Sequence, residues 1–153
     1  MLTSDFYETF LRHPFMNKYY AGTFAANKIP PRLKVSNFII LNTSETVGQH
    51  WYTVYRPNRD TLECFDSLGI DSSKKHFINN NFAKFKAKEV IFNTSRVQSL
   101  QSTSCGQFVL YFLFQRLHNQ DLDFSELLDE IFELNDAINE QRVETFLKSI
   151  IFN

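Results

Sequence analysis

The sequence predicts an α+β fold: a small mixed β-sheet packed against a central helix that carries a cysteine at its N-terminus, with further helices at both ends of the chain. Three observations predict it. Segments rich in aromatic and β-branched residues lie between residues 38 and 65, a segment apolar on nearly all sides opens at Cys105, and amphipathic stretches flank both.

Taken in order, Ser4 to Arg12 reads as a short helix, with Ser4 or Asp5 as cap, Phe6, Phe10 and Leu11 on one face, and Pro14 as its stop. Ile29-Pro-Pro-Arg32 is a loop, Phe38-Ile-Ile-Leu41 a buried strand, and Asn42 to Gly48 a polar turn. A second strand begins at His50 with Trp51-Tyr-Thr-Val-Tyr55. Pro57-Asn-Arg-Asp60 supplies turn chemistry, and Thr61-Leu-Glu-Cys-Phe65 completes an antiparallel meander. Ser72 to Phe85 reads as helix, Glu89 to Asn93 as strand, and Thr94 to Ser104 as a polar segment without period. The central helix runs from Cys105 to about His118, followed by amphipathic helices over about Asp123 to Leu134 and Asn139 to Ile151, capped by Asp123 and by Asn139 or a neighbour.

A chain of 153 residues fits one domain, here 1–153, that buries roughly two-thirds of its unfolded surface without a disulfide or metal staple. Seventeen Phe against four Gly and four Pro exclude low complexity. A formal net charge of -1 excludes a global basic field for nucleic acid. The local runs Lys74-Lys75-His76 and Lys84, Lys86, Lys88 read as solvated helix faces. No window approaches a membrane span, and Met1-Leu-Thr-Ser-Asp5 carries no secretory pattern, so a soluble protein in a reduced compartment is expected. Two cysteines, Cys64 and Cys105, supply neither a disulfide framework nor a zinc site, and no cofactor is expected.

A thiol attacks as its thiolate, and a helix N-terminus or a nearby imidazolium lowers its pKa from about 8.5. Cys105 has the first by position. Gly106 lets a substrate backbone approach, and the Cys105 N–H, free at a helix start, can donate to an oxyanion. Adjacent antiparallel strands can place His50 opposite Asp66, the acid of Phe65-Asp-Ser-Leu-Gly69. A carboxylate that fixes an imidazole's tautomer completes a general-base system. Singly, Cys105 reads as a core cysteine, His50 as a strand histidine and Asp66 as a turn carboxylate; the ordered trio points to a cysteine nucleophile. Gln98 and Gln101, on the loop into Cys105, offer amides for a second oxyanion donor.

These residues carry a resemblance. His50-Trp51, Phe65-Asp66-Ser-Leu-Gly69, Gln98, Ser102 and Cys105-Gly106 resemble the adenain-like proteases, the family of the adenovirus maturation protease. The order His, acid, Gln, Cys is that family's, and Gln98 and Ser102 match its Gln seven and Ser three residues before the Cys. Tyr19-Tyr-Ala-Gly-Thr-Phe24 and Ile39-Ile-Leu-Asn-Thr43 before Gly48-Gln-His-Trp51 parallel its leading segments, so the likeness spans about Phe6 to Phe114. It implies a fold related to the ubiquitin-like-protein proteases and Gln98 as the oxyanion residue; Trp51, directly after the base, reads either as a shield of the Cys105–His50 pair or as core packing, and Gly48 and Gly106 join it as candidates for the substrate side of the site. It also implies a cysteine endopeptidase acting on viral capsid or core precursors during virion maturation, with relatives in adenoviruses, virophages and Maverick or Polinton-type elements. The expected setting is the virion and the host cytoplasm or nucleus, and the expected form a monomer, with a peptide or DNA as possible activator. Two departures stand out. The stretch Phe85 to Asn93 lacks the cysteine through which the adenoviral enzyme is tethered to its activating peptide, and Asp66 replaces a Glu. Cys64 shares the face of Asp66 by strand alternation and reads as core. Competing readings are a deconjugating protease of ubiquitin-like modifiers and a catalytically silent capsid-binding protein of the same fold.

Overall fold

Five strands form one mixed sheet in the computed structural model, which describes residues 8, 10–43 and 50–151 of the chain. They are β1 (Tyr20–Ala25), β2 (Phe38–Asn42), β3 (Trp51–Asn58), β4 (Thr61–Phe65) and β5 (Glu89–Phe92), and they lie side by side in chain order. β2, β3 and β4 form the expected antiparallel meander, with Ile40 opposite Thr53 and Thr53 opposite Phe65. The outer strands run parallel to their neighbours, so each parallel pair needs a long crossover. Between β4 and β5 this crossover is a helix, α2 (Ser72–Phe82), which follows the short α1 (Pro14–Asn17) and runs into a 3₁₀ turn, Ala83–Phe85.

The central strands are apolar on both faces because both faces are covered. Phe38, Ile40, Tyr55 and Phe65 face α3 (Cys105–His118); Ile39, Leu41, Val54, Leu62 and Cys64 face Ile78 and Phe82 of α2. The helices α4 (Phe124–Ile131) and α5 (Asp136–Ile151) cover the far side of α3. This explains why α3 has no polar stripe: sheet and helices surround it. The Phe65 ring stacks on Phe112 with centroids 4.5 Å apart and on Phe132 at 5.6 Å.

Several boundaries depart from expectation. Residues 8 and 10–12 are helical and the rest of the Ser4 to Arg12 segment lies outside the described residues, while Pro14 starts a second helix at its N1 position, where a missing N–H costs nothing. β1 was not anticipated as a strand. β3 runs through Pro57, and a register shift between Tyr55 and Asn58 accommodates a residue with no N–H to give. α4 stops at Ile131 because Phe132 turns extended and inserts its ring against Phe65, Phe108 and Tyr111. α5 begins at Asp136, not Asn139: Asn135 Oδ1 accepts the N–H groups of Ala137 and Ile138. Asn139 is wholly buried instead, accepting from Glu133 N–H at 2.7 Å and donating to the carbonyls of Glu133 and Val97.

One buried ion pair sets the position of α3 over the sheet. Arg116 Nη2 donates to Glu63 Oε2 at 2.9 Å, and Nε lies 2.8 Å from Oε1, close in charge but not aimed for a hydrogen bond. Nη1 donates to the carbonyls of Leu122 and Asn119. Burial pushes the Glu63 carboxyl up, and Arg116 opposes that rise. Removing one partner strands the other's charge in the core, whereas removing both does not. Arg116→Met is therefore expected to cost about 3–5 kcal/mol by urea unfolding, and Glu63→Leu combined with Arg116→Met to recover much of that loss; equal losses in the single and double variants would contradict this role.

Candidate active site

The N-terminus of α3, the start of β3 and the end of β4 meet at one edge of the sheet, and each brings one member of the sequence trio. Cys105 is the first residue of α3 and is buried, with Ser104 at the cap position. As a helix start, its backbone N–H has no intrahelical acceptor. Trp51 N–H, the first of β3, donates to Cys105 Sγ at 3.4 Å. The Gly106 N–H and the His50 side chain also favour the charged form of this sulfur.

His50 precedes β3 and is 14% exposed in its side chain. Its backbone is fixed by Thr43, whose Oγ1 accepts the His50 N–H at 3.1 Å and whose N–H donates to the His50 carbonyl. His50 Nε2 lies 2.6 Å from Asp66 Oδ1. With Nε2 turned to the carboxylate, Nδ1 is the nitrogen that remains for Cys105, and a Nε2–H tautomer leaves Nδ1 as the proton acceptor. Gly48, expected at the substrate side, lies outside the described residues.

Asp66 follows β4 directly and its side chain is fully buried. Oδ1 also accepts the Leu68 N–H at 2.9 Å, and Oδ2 pairs with the Lys74 ammonium. Asn93, at the end of β5, clamps the backbone on both sides: its Oδ1 accepts the Asp66 N–H and its Nδ2 donates to the Asp66 carbonyl at 2.6 Å. The turn closes with Gly69 at φ 82°, where a Cβ would stand 2.7 Å from the Thr94 carbonyl oxygen. Only glycine fits both the angle and the space.

The same turn holds the loop that leads into Cys105. Ser67 is buried; its carbonyl accepts the N–H groups of Val97 and Gln98, and its hydroxyl donates to Gln98 Oε1. That bond orients the Gln98 amide, whose Nε2 donates to the Ser102 carbonyl at 2.9 Å and retains a second hydrogen. Gln98 is 1% exposed, whereas Gln101 is exposed, so the buried, oriented amide is Gln98.

Burial disfavours the Cys105 thiolate, but the His50 hydrogen bond, the Trp51 and Gly106 N–H groups and the charge of His50 outweigh it, and the thiol lies below its ordinary pKa. Cys64 is the contrast: fully buried and only partly offset by Lys74, it is pushed up to about 12. The two cysteines thus shift in opposite directions, Cys64 upward and Cys105 downward. Trp51 is half-buried and packs at the edge of the α3-facing core.

Sequence reasoning missed Lys74 and Asn93. Lys74 was assigned to a solvated helix face, but it sits at the third position of α2, where Asp71 caps the helix by accepting the Lys74 N–H at 2.8 Å, and its side chain turns to Asp66. Asn93 bonds to a residue 27 positions away, and no local spacing announces that. Among the described residues, no group of three His, Cys, Asp or Glu is arranged to hold a metal ion, and no helix is long and apolar enough to cross a membrane.

No protein-family model matches the chain, and no curated protein matches it in sequence. Among solved structures, it is similar to the central domain of the uncharacterized Lpg1148 protein from Legionella pneumophila, with a TM-score of 0.49 and 12% identity over 87% of this chain and 90% of that one. It is also similar to Xanthomonas XopD, described with the ubiquitin-like protein proteases, with a TM-score of 0.37 and 17% identity over 94% of this chain and 82% of that one. At these levels of similarity, the chemistry of the site is read from the chain's own residues.

Proposed function

We propose that the chain is a cysteine endopeptidase in which Cys105 is the nucleophile, His50 its base and Asp66 the residue that orients the base. The observation that carries this reading is a helix-terminal sulfur held by the Trp51 N–H, at the same sheet edge as an imidazole whose Nε2 lies 2.6 Å from a fully buried carboxylate. An imidazole held by a buried carboxylate has one orientation and one useful tautomer, which is what base activation of a thiol requires.

The steps follow from the atoms. His50 Nδ1 takes the thiol proton as Cys105 Sγ bonds to the substrate carbonyl carbon. The oxyanion is held by the Cys105 N–H and by the second hydrogen of Gln98 Nε2. Collapse breaks the C–N bond, and the leaving amine takes the proton from His50. Water, deprotonated by His50, then hydrolyses the thioester and regenerates the thiol. Trp51, whose N–H is on the sulfur, flanks the nucleophile, and the Gly106 N–H favours its charged form. The substrate class that the motif resemblance supports is viral capsid or core precursors, cleaved during particle maturation.

Purified protein mixed with capsid precursors is expected to produce discrete fragments, and neither Cys105→Ala nor His50→Ala, folded by circular dichroism, to produce any. Gln98→Ala should lower kcat by about 10²–10³. Turnover of conjugates of ubiquitin-like modifiers, but not of precursors, would shift the assignment to deconjugation; cleavage by Cys105→Ala would end it. A second check needs no substrate. At a pH of about 6, iodoacetamide should alkylate Cys105 in the native protein faster than the same thiol in the unfolded chain, and His50→Ala should abolish that advantage.

A further inference from the structure

Among the described residues, Lys74 is the lysine or arginine that touches the acid of the trio. The Asp66 carboxylate spends Oδ1 on the Leu68 N–H and on His50, leaving Oδ2 to Lys74. A buried carboxylate with one oxygen unserved could rotate and exchange its oxygens; a cation on Oδ2 fixes the plane and hence the oxygen that meets His50. Its side chain is partly withdrawn from water, with 28% exposed, and the ammonium lies 5.0 Å from the centroid of the Tyr52 ring. Withdrawing an ammonium in this way rarely adds net stability, so another reason for its position is needed.

Charge provides one. Without Lys74, the Asp66 charge would be met only by the Leu68 N–H and His50, in a cluster whose sulfur must itself become negative. With it, the Asp66–Lys74 pair is neutral and the thiolate forms opposite an imidazolium. Burial lowers the tendency of Lys74 to hold its proton, and Cys64 and Cys105 raise it. Because the Cys64 thiol is pushed up to about 12, Cys105 is the thiol that can become the counter-anion near neutral pH. The titratable groups around this cluster are His50 ahead of β3, Tyr52 on β3, Cys64 and Asp66 on and after β4, Cys105 on α3, and Asp71 on the cap of Lys74's own helix. Tyr52, raised by burial and by Cys64, stays neutral alongside Cys64.

We propose that Lys74 is a positioning residue of this centre, holding Asp66 in the plane that His50 needs and supplying the fixed positive charge that favours the Cys105 thiolate. The inference rests on the protease reading of Cys105, His50 and Asp66.

The test is the pH dependence of Cys105 alkylation by iodoacetamide in the full chain, with Lys74→Met, Lys74→Gln and Lys74→Arg. In Lys74→Met the midpoint should rise by about half a unit to one unit, so that alkylation near pH 6 slows about three- to tenfold while the high-pH plateau is kept. Lys74→Arg should return the midpoint most of the way. Should Lys74→Met not fold, Lys74→Gln, polar but uncharged, carries the same expectation. A midpoint unchanged in the neutral variants, with only thermal stability lowered, would make Lys74 a structural residue and overturn the inference. An ordinary thiol midpoint in the unaltered protein would overturn the protease reading itself, and with it the role of Lys74.

Discussion

The Asp66 carboxylate has no contact with water, and a charge in that position has to be compensated entirely from within the fold. Three elements converge to do so: the Leu68 N–H of its own turn, His50 at the head of β3 and Lys74 in the first turn of α2. The turn that carries Asp66 is held equally firmly. Asn93 bonds both sides of its backbone, Gly69 closes it against Thr94 with no room for a side chain, and Ser67 binds the loop through Gln98. A single turn at the end of β4 thereby sets the acid, the end of β5 and the approach to Cys105.

The remainder of the molecule keeps Cys105 at the right height. α3 has no polar face because the sheet, α4 and α5 enclose it, and its far end is tied to β4 by Arg116 and Glu63. Rotation about its own axis is thus restrained at one end by a buried ion pair and at the other by the Trp51 N–H on the sulfur. The thiol is tuned by opposition: the burial that makes Cys64 inert also acts on Cys105, and only the local donors reverse it.

Much of this was legible in the sequence. β4 and α3 follow the expected bounds, Thr61–Phe65 and Cys105 to His118, because the first is a short β-rich run between turns and the second an uninterrupted apolar run after a polar loop. The nearness of His50 and Asp66 was legible from the meander, but not their register: with Thr53 opposite Phe65, Tyr52 falls across from Asp66, and His50 reaches the carboxylate from two residues further along. β1 was not legible: it is half-exposed, contains Gly22 at φ 125°, and owes its strand character to parallel pairing with a segment beyond a long loop. Lys74 and Asn93 were hidden for a related reason. Each is an ordinary surface or loop residue type by local pattern, and its partner is supplied by tertiary packing. Asn139 reads as a helix cap by type, but three hydrogen bonds in the interior claim it first.

At the centre of this account is a covalent step at one sulfur. The most direct measurement is acid-quenched mass spectrometry of the protein mixed with an activated peptide ester, followed by peptide mapping. The account predicts a transient thioester whose added mass equals the acyl portion of the ester, confined to the peptide that carries Cys105 and absent in His50→Ala. Turnover with no acyl adduct on Cys105, or an adduct on Cys64 in its place, would contradict it.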